Sequence, residues 1–513
     1  MMEDWRAAAR RIFEPSPPAR RYSEEDYELL PGESGSPRPQ EHHRRRSTVT
    51  TPRRALLLFQ KTCTLRRFLL GLAAIPVLLA LGILWSGIPP DYADIREYER
   101  TLPQHNLSLP YPEGQDGLYL RFPDHLWGHG LNNILQETLL MSHLAYAANR
   151  SFVFEDYTWS HTPFPWTIYD FALRPKRIPL NAFIAGPTAG GPFSPDPSPR
   201  AISAAWWETV CPKPRRHVIS SADAPSGPDA EGADILRWWV DKLSGYAQYS
   251  CVEIDSSERV VFDKFLFGST RILSLWPALS ASPILTSYTW SPLVQSAVAR
   301  NFALLRPAHP AQLDPASPAP LTGLVAIHLR RGDYKRHCPR LAVWGSTYMG
   351  LNEFPALPDR FAPPSSSRQE SAGDGDADEE EGEGEEEGER PETTEEYYLR
   401  HCLPSIPQIV AKLHRVRLAH PSLTRAYALS NGWPAFLAAL RAALLADGWA
   451  ALLTSYEVAA NLDAEQEYVS MAVDMAIAQK AEVFVGNGFS SLSSNVVMLR
   501  MARGVDPATN RFL

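Results

Sequence analysis

A short apolar run that ends on fixed charge constrains this chain more than any other feature. Residues 325–329, "VAIHL", read as a buried strand, and "RRGD", 330–333, follows at once. Arginine does not shed its proton, so the charge must stand beyond the strand's carboxyl end. In open α/β sheets that end faces a ligand crevice. Arg330 and Arg331 present planar forks suited to phosphate oxygens, Asp333 is placed to orient an arginine, and His328 to hydrogen-bond a ligand.

Two further segments share the design. In "LWGHGLNNILQETLLMSHLAYAANRSFVFEDY", 126–157, Gly128 and Gly130 permit a tight turn. Apolar positions 131, 134, 135 and 139 then take helical spacing, and "FVFE" is extended. A helix start exposes unpaired backbone donors, so this loop can meet an anion or a sugar hydroxyl. Asn132 and Asn133 either face that ligand or cap the helix. In "VDMAIAQKAEVFVGNGFSSLSSNVVMLRMARG", 473–504, a helix ending near Lys480 leads to the strand "AEVFVG", a Gly/Ser loop and another helix start. Ser490, Ser491, Ser493 and Ser494 are candidate oxyanion donors. Asp474 sits among Ala, Val and Met, where a carboxylate needs a partner. Between these segments "AYALSNGW" is a strand that ends on Ser430 and Asn431.

The chain has 513 residues, enough for two domains plus accessory segments. Its formal charge of -8 comes mainly from the block between Glu370 and Glu396. Like charges interleaved with Gly cannot bury apolar area, so about 363–394 reads as a disordered insertion. The "DGD" at 374–376 within it offers no fixed geometry for a metal, and no metal site is expected. No broad basic field interleaved with aromatics suggests a nucleic-acid partner.

Residues 68–88, "FLLGLAAIPVLLALGILWSGI", carry no charge over the length of a membrane-spanning helix. Eight Lys and Arg precede it, from Arg44 to Arg67, and Asp91, Asp94 and Glu97 follow. The expectation is one transmembrane signal anchor in type II orientation, with a disordered cytosolic tail at 1–67 and the rest luminal. Cys211, Cys251, Cys338 and Cys402 then lie on an oxidising side, where three connectivities are open. A Pro-rich stem at 89–115, a first compact domain at 116–315 and a second at 316–513 complete the expected organisation.

"GHGLNN", "HLRRGD" and "VDMAIAQKAEVFVGNGFSSLSS", in this order, resemble the three-part pattern of the GDP-fucose protein O-fucosyltransferase family and its α1,6-fucosyltransferase relatives. The resemblance implies an α/β, GT-B-like fold of two Rossmann-like domains, the N-terminal one on the acceptor side and the C-terminal one holding the donor. It implies metal-independent, inverting transfer of fucose from GDP-fucose, the donor substrate, to a protein Ser/Thr or a glycan hydroxyl. No cofactor is implied.

By position, Arg330 matches the arginine on the donor diphosphate, with Arg331 beside it, and His328 matches the histidine of that motif. Asn132 matches the asparagine of the Gly-rich loop formed with Gly130 and Asn133, Asp474 the acidic residue near the guanine, and Phe489, Ser490 and Ser491 the nucleotide loop. Where relatives carry an acidic motif after the penultimate strand, this chain has Ser430-Asn431-Gly432. Arg330, Asn132 and Asp333 are the expected catalytic residues; Asp333 and Glu137 are the candidates for proton acceptor. The partners expected are GDP-fucose, a glycoprotein or glycan acceptor, and a Golgi or endoplasmic reticulum membrane reached through one helix. The alternative is a non-catalytic nucleotide-sugar- or glycan-binding protein of the same pathway.

Overall fold

The computed structural model describes residues 65–123, 130–169, 172–193, 198–227, 229–312, 317, 319–364 and 392–513. Most of the expected cytosolic tail, Gly128, and most of the acidic insertion with its "DGD" lie outside the described residues.

Residues 92–157 and 179–513 belong to one compact unit built on two parallel sheets. The first contains β1 (Tyr119–Arg121), β2 (Ser151–Phe154), β3 (Ile202–Ser203), β4 (Arg216–Ile219) and β5 (Cys251–Ile254), in the spatial order β3-β2-β1-β5-β4. The second contains β6 (Leu321–Leu329), β7 (Arg425–Ser430), β8 (Ala451–Thr454), β9 (Ala481–Gly486) and β10 (Asn510–Phe512), in the order β8-β7-β6-β9-β10. Every pairing in both sheets is parallel. In the second sheet the chain moves outward from β6 in one direction and then returns to its other side, so the topological switch lies between β6 and β9. Ligands of such sheets bind outside the carboxyl ends at that point.

β6 is buried on both faces, which is why its sequence is a near-continuous apolar run. Val325, Ile327 and Leu329 face α9 (Ile406–Ala419) and α10 (Pro434–Ala446), where they pack with Ile409, Leu413, Leu440 and Leu444. The alternate residues Ala326 and His328 point the other way, toward the side that carries α12 (Ser470–Lys480) and α13 (Ser491–Ala502). The first sheet is covered on one face by α4 (Ala204–Val210), whose Trp207 and Val210 meet Tyr119, Val153 and Ile202.

The cysteines pair as neighbours in sequence. Cys211–Cys251 ties α4 to β5, and Cys338–Cys402 ties α7 (Tyr334–Trp344) to α8 (Thr394–Cys402).

The expected stem packs into this unit. Tyr92 and Leu102 are buried, and Gln104 donates to the carbonyls of Gly190 and Ala201 at 2.9 and 2.7 Å. Its Pro residues suggested a segment too irregular for a domain core; it instead carries a helix, α2 (Ala93–Arg100), flanked by the buried Tyr92 and Leu102.

The other unit holds, among its described residues, the helix α1 (Leu65–Ser86), which contains Pro76, and an antiparallel pair, Trp166–Tyr169 with Ala172–Pro175. Among the described residues no helix is long and apolar enough to cross a membrane. The expected anchor at 68–88 coincides with α1 up to Ser86. The transmembrane and type II expectations therefore gain no support from the structure.

Glu99 of α2 is 7% exposed, and burial, helped by Asp156, raises its carboxyl to about 7, with Arg96 and the Asn181 amide opposing. Its folded value lies above the unfolded one, so the stability linked to its proton is present below about pH 4.5 and is lost as pH rises through 7. Glu99→Gln should raise the melting temperature above the wild type's at pH 8 and match it at pH 4.5; equal melting at both pH values would contradict the assignment.

Candidate functional site

The carboxyl ends of β6, β7 and β9 bring most of the sequence-derived residues together. Beyond β6, Arg330 is 2% exposed, its guanidinium 4.9 Å from the Tyr334 ring, and its Nη2 donates to Asp333 Oδ2 at 2.5 Å. Asp333 precedes α7, so the helix fixes its position three residues from the arginine it holds. Asn431, one residue past β7, donates from Nδ2 to Asp333 Oδ1 at 3.2 Å and accepts from the Arg331 backbone N–H at 2.8 Å. Ser430 turns inward, donating to the Leu329 carbonyl at 2.7 Å and accepting from Gly432 N–H. The loops after β6 and β7 are therefore one hydrogen-bonded assembly.

His328 is fully buried and lies 2.9 Å, through Nδ1, from Ser493 Oγ. Burial first, and the Arg330 charge second, push its imidazole down to about 3, so it is neutral at physiological pH. Ser493 Oγ already accepts from Asn487 N–H at 3.0 Å. Ser493 Oγ keeps both a second lone pair and its hydroxyl hydrogen, so the His328 Nδ1 contact forms with either ring tautomer.

After β9 the chain turns through Asn487-Gly488-Phe489. Asn487 donates to the Cys402 carbonyl at 2.7 Å and accepts from Phe489 N–H at 3.1 Å, holding the turn from both sides. Gly488 is required here, because a Cβ would stand 2.3 Å from the Tyr348 ring. Ser490 caps α13, accepting from Leu492 N–H at 3.3 Å, and Ser491 opens the helix, 5% exposed. Phe489 joins a cluster of rings with Tyr348, Phe361 and Tyr398 at centroid distances of 4.9, 5.1 and 5.8 Å. It anchors the loop.

The remaining candidates lie on two other helices or, in one case, just before one of them. Asp474 is buried in α12 and accepts from Tyr427 OH and, at 2.7 Å, from Ser455 Oγ. These are the partners that a carboxylate in an apolar helix requires. Gly130 is the residue before α3 (Leu131–Ala147) and makes no side-chain cap. Asn132 lies inside α3, fully buried, donating to Met471 Sδ and accepting from Asn495 Nδ2 through its carbonyl at 2.9 Å. Asn133 is half-buried and donates its N–H to the Gly130 carbonyl at 3.0 Å. With Gln136, which donates to Ser494 Oγ at 2.8 Å, the start of α3 is docked on α13 by polar contacts. Glu137 is fully buried in the same helix.

Sequence reading did not single out Asn487, Gln136, Asn495 or Met471. Asn487 looked like an ordinary turn residue, and the partners of the others are hundreds of positions away. Among the described residues no group of three or more His, Cys, Asp or Glu is placed to hold a metal ion.

No family model and no curated protein matches this chain. Solved structures do. A crystal structure of POFUT1 in complex with GDP-fucose is similar at 14% identity with a TM-score of 0.42, covering 78% of this chain and 98% of that one. POFUT1 in complex with GDP is similar at 13% identity and a TM-score of 0.42, covering 78% and 99%. Its apo form gives 14% identity and 0.40, covering 77% and 97%.

Removing the Ser493 hydroxyl leaves His328 Nδ1 and Asn487 N–H buried without it. Ser493→Ala should lower stability by about 1–3 kcal/mol in urea unfolding. A change below about 0.3 kcal/mol, within ordinary surface-substitution effects, would contradict the pinning role.

Proposed function

We propose that this protein is a glycosyltransferase that moves fucose from GDP-fucose to a protein Ser/Thr or glycan hydroxyl, with inversion and without a metal. The observation that carries the reading is the braced Arg330 guanidinium at the carboxyl end of the central strand, beside the sheet's switch point. The ordered motifs of the sequence point the same way.

Breaking a glycosyl-phosphate bond builds negative charge on the departing diphosphate. Donors fixed in advance at that position stabilise the transition state without reorganising. Arg330 supplies a permanent charge and the first turn of α13 its backbone amides, with the neutral His328 ring held beside them by Ser493. Asp333 accepts from Arg330 on one oxygen and from Asn431 on the other, and through these bonds it positions the arginine. The two disulfides favour the oxidising lumen of the endoplasmic reticulum or Golgi as the working compartment.

One observation favours a second reading, a nucleotide-sugar-binding protein without turnover: the end of β7 carries Ser430-Asn431-Gly432 and no carboxylate. Both readings are tested by one kinetic comparison. With GDP-fucose and a panel of protein and glycan acceptors, the wild type should show transfer. Arg330→Ala, with an unchanged circular dichroism spectrum, should lose about 10²–10³-fold in kcat/KM, the usual cost of removing one fixed oxyanion donor. Near-normal turnover in the variant would contradict the role of Arg330. GDP-fucose binding by the wild type with neither transfer nor hydrolysis would select the second reading.

A further inference from the structure

Two consecutive arginines at the end of one strand must diverge, because successive side chains point to opposite faces. Val325, Ile327 and Leu329 face α9 and α10, and Arg331 continues that series while Arg330 does not. Arg331 lies with its guanidinium 4.2 Å from the Phe436 ring in the first turn of α10 and donates from Nη2 to the Pro404 carbonyl at 2.5 Å. Only 5% of Arg331 is exposed. Its Nε is buried without a hydrogen-bond partner, and among the described residues no carboxylate pairs with it. Burial alone lowers its guanidinium, to about 10. A buried cation without a counter-ion is costly, and a bound oxyanion removes much of that cost.

The surroundings fit such an anion. α10 begins at Pro434 after Trp433, with no side chain capping its amino end; Pro434 has no N–H and Phe436 N–H donates to the Trp433 carbonyl at 3.0 Å, which leaves the Ala435 amide and the positive dipole end to meet an anion. Trp433 is 43% exposed, its ring 5.8 Å from Phe436, and the Lys335 ammonium sits 4.4 Å from the Trp433 centroid. Arg331, Phe436, Trp433 and Lys335 thus form a strip of two rings between two cations, with Arg331 buried and Lys335 at the surface. Arg331 and Phe436 also line an open cleft with Pro404, Ser405 and Gln408. The cleft also carries two acids: Glu392 pairs with Arg400, itself on the cleft, at 2.9 Å, and Glu396 accepts from the Thr393 hydroxyl at 2.9 Å.

We propose that Arg331, Lys335 and the amino end of α10 form a second oxyanion subsite, on the β7 side of the sheet, separate from the Arg330 grip. It receives a phosphate or carboxylate group of the acceptor, and so selects acceptors that carry an oxyanion near the reacting hydroxyl. The acceptor assignment rests on the transferase reading; the subsite itself does not.

The test is calorimetric titration of the full chain with inorganic pyrophosphate. Two sites are expected in the wild type, with one blocked by saturating GDP. The GDP-resistant site should weaken about tenfold in Lys335→Ala and in Arg331→Lys, the scale of one charge-assisted contact, and remain in Arg330→Ala. Lys335 is exposed, so its variant keeps the fold even where Arg331→Lys disturbs it. Titrating tetraglutamate and phosphoserine in the presence of GDP then separates a carboxylate source from a phosphate source. A single pyrophosphate site, or a GDP-resistant site indifferent to Lys335→Ala, overturns the proposal. Failure of GDP to bind while the Lys335-dependent site persists overturns the donor reading and leaves the subsite standing.

Discussion

The arrangement depends on keeping a guanidinium charge at the end of a buried strand. Arg330 is almost completely enclosed, and its charge is tolerable because Asp333 lies one helical turn away and pairs with it directly. That pairing fixes where the loop after β6 must go: into α7, with the carboxylate at the helix start. Asn431 then binds both the carboxylate and the Arg331 backbone, which draws the loop after β7 into the same plane. A ligand meets a charge whose orientation was set during folding.

The supports of this loop come from far along the chain. Cys338–Cys402 joins α7 to the segment whose next carbonyls, Cys402 and Pro404, receive Asn487 and Arg331. One covalent link therefore holds partners for the loop after β6 and the turn after β9 together. The Phe489 ring cluster holds that turn from the other side. Rigid placement of this kind is what a site needs if its donors are to stabilise developing charge.

Much of this was legible in the sequence where local periodicity carried it. The strands at 325–329, 426–430 and 481–486 and the helix from Leu131 stand where alternation and helical spacing put them, because apolar runs bounded by Gly, Asn and Ser leave few other conformations. The roles of single residues were less legible. Asp474 and Phe489 carry motif signals, yet the first is occupied by Tyr427 and Ser455 and the second by other rings. Such partners are chosen by tertiary packing, which a linear pattern does not encode. The packing of residues 92–104 was hidden for the same reason: Pro-rich composition describes the local chain, and the contacts of Tyr92, Leu102 and Gln104 are long-range. The divergence of Arg330 and Arg331, by contrast, follows from the two-residue period of a strand and could be drawn from the sequence as soon as β6 was placed.

The central claim is that the carboxyl end of β6 is a diphosphate grip made of protein donors. Calorimetric titration of the wild-type protein with GDP, with and without a chelator of divalent cations, tests it most directly. The account predicts saturable one-site binding that the chelator leaves unchanged. A well-folded sample that does not bind GDP, or that binds it only with a divalent cation, would contradict it.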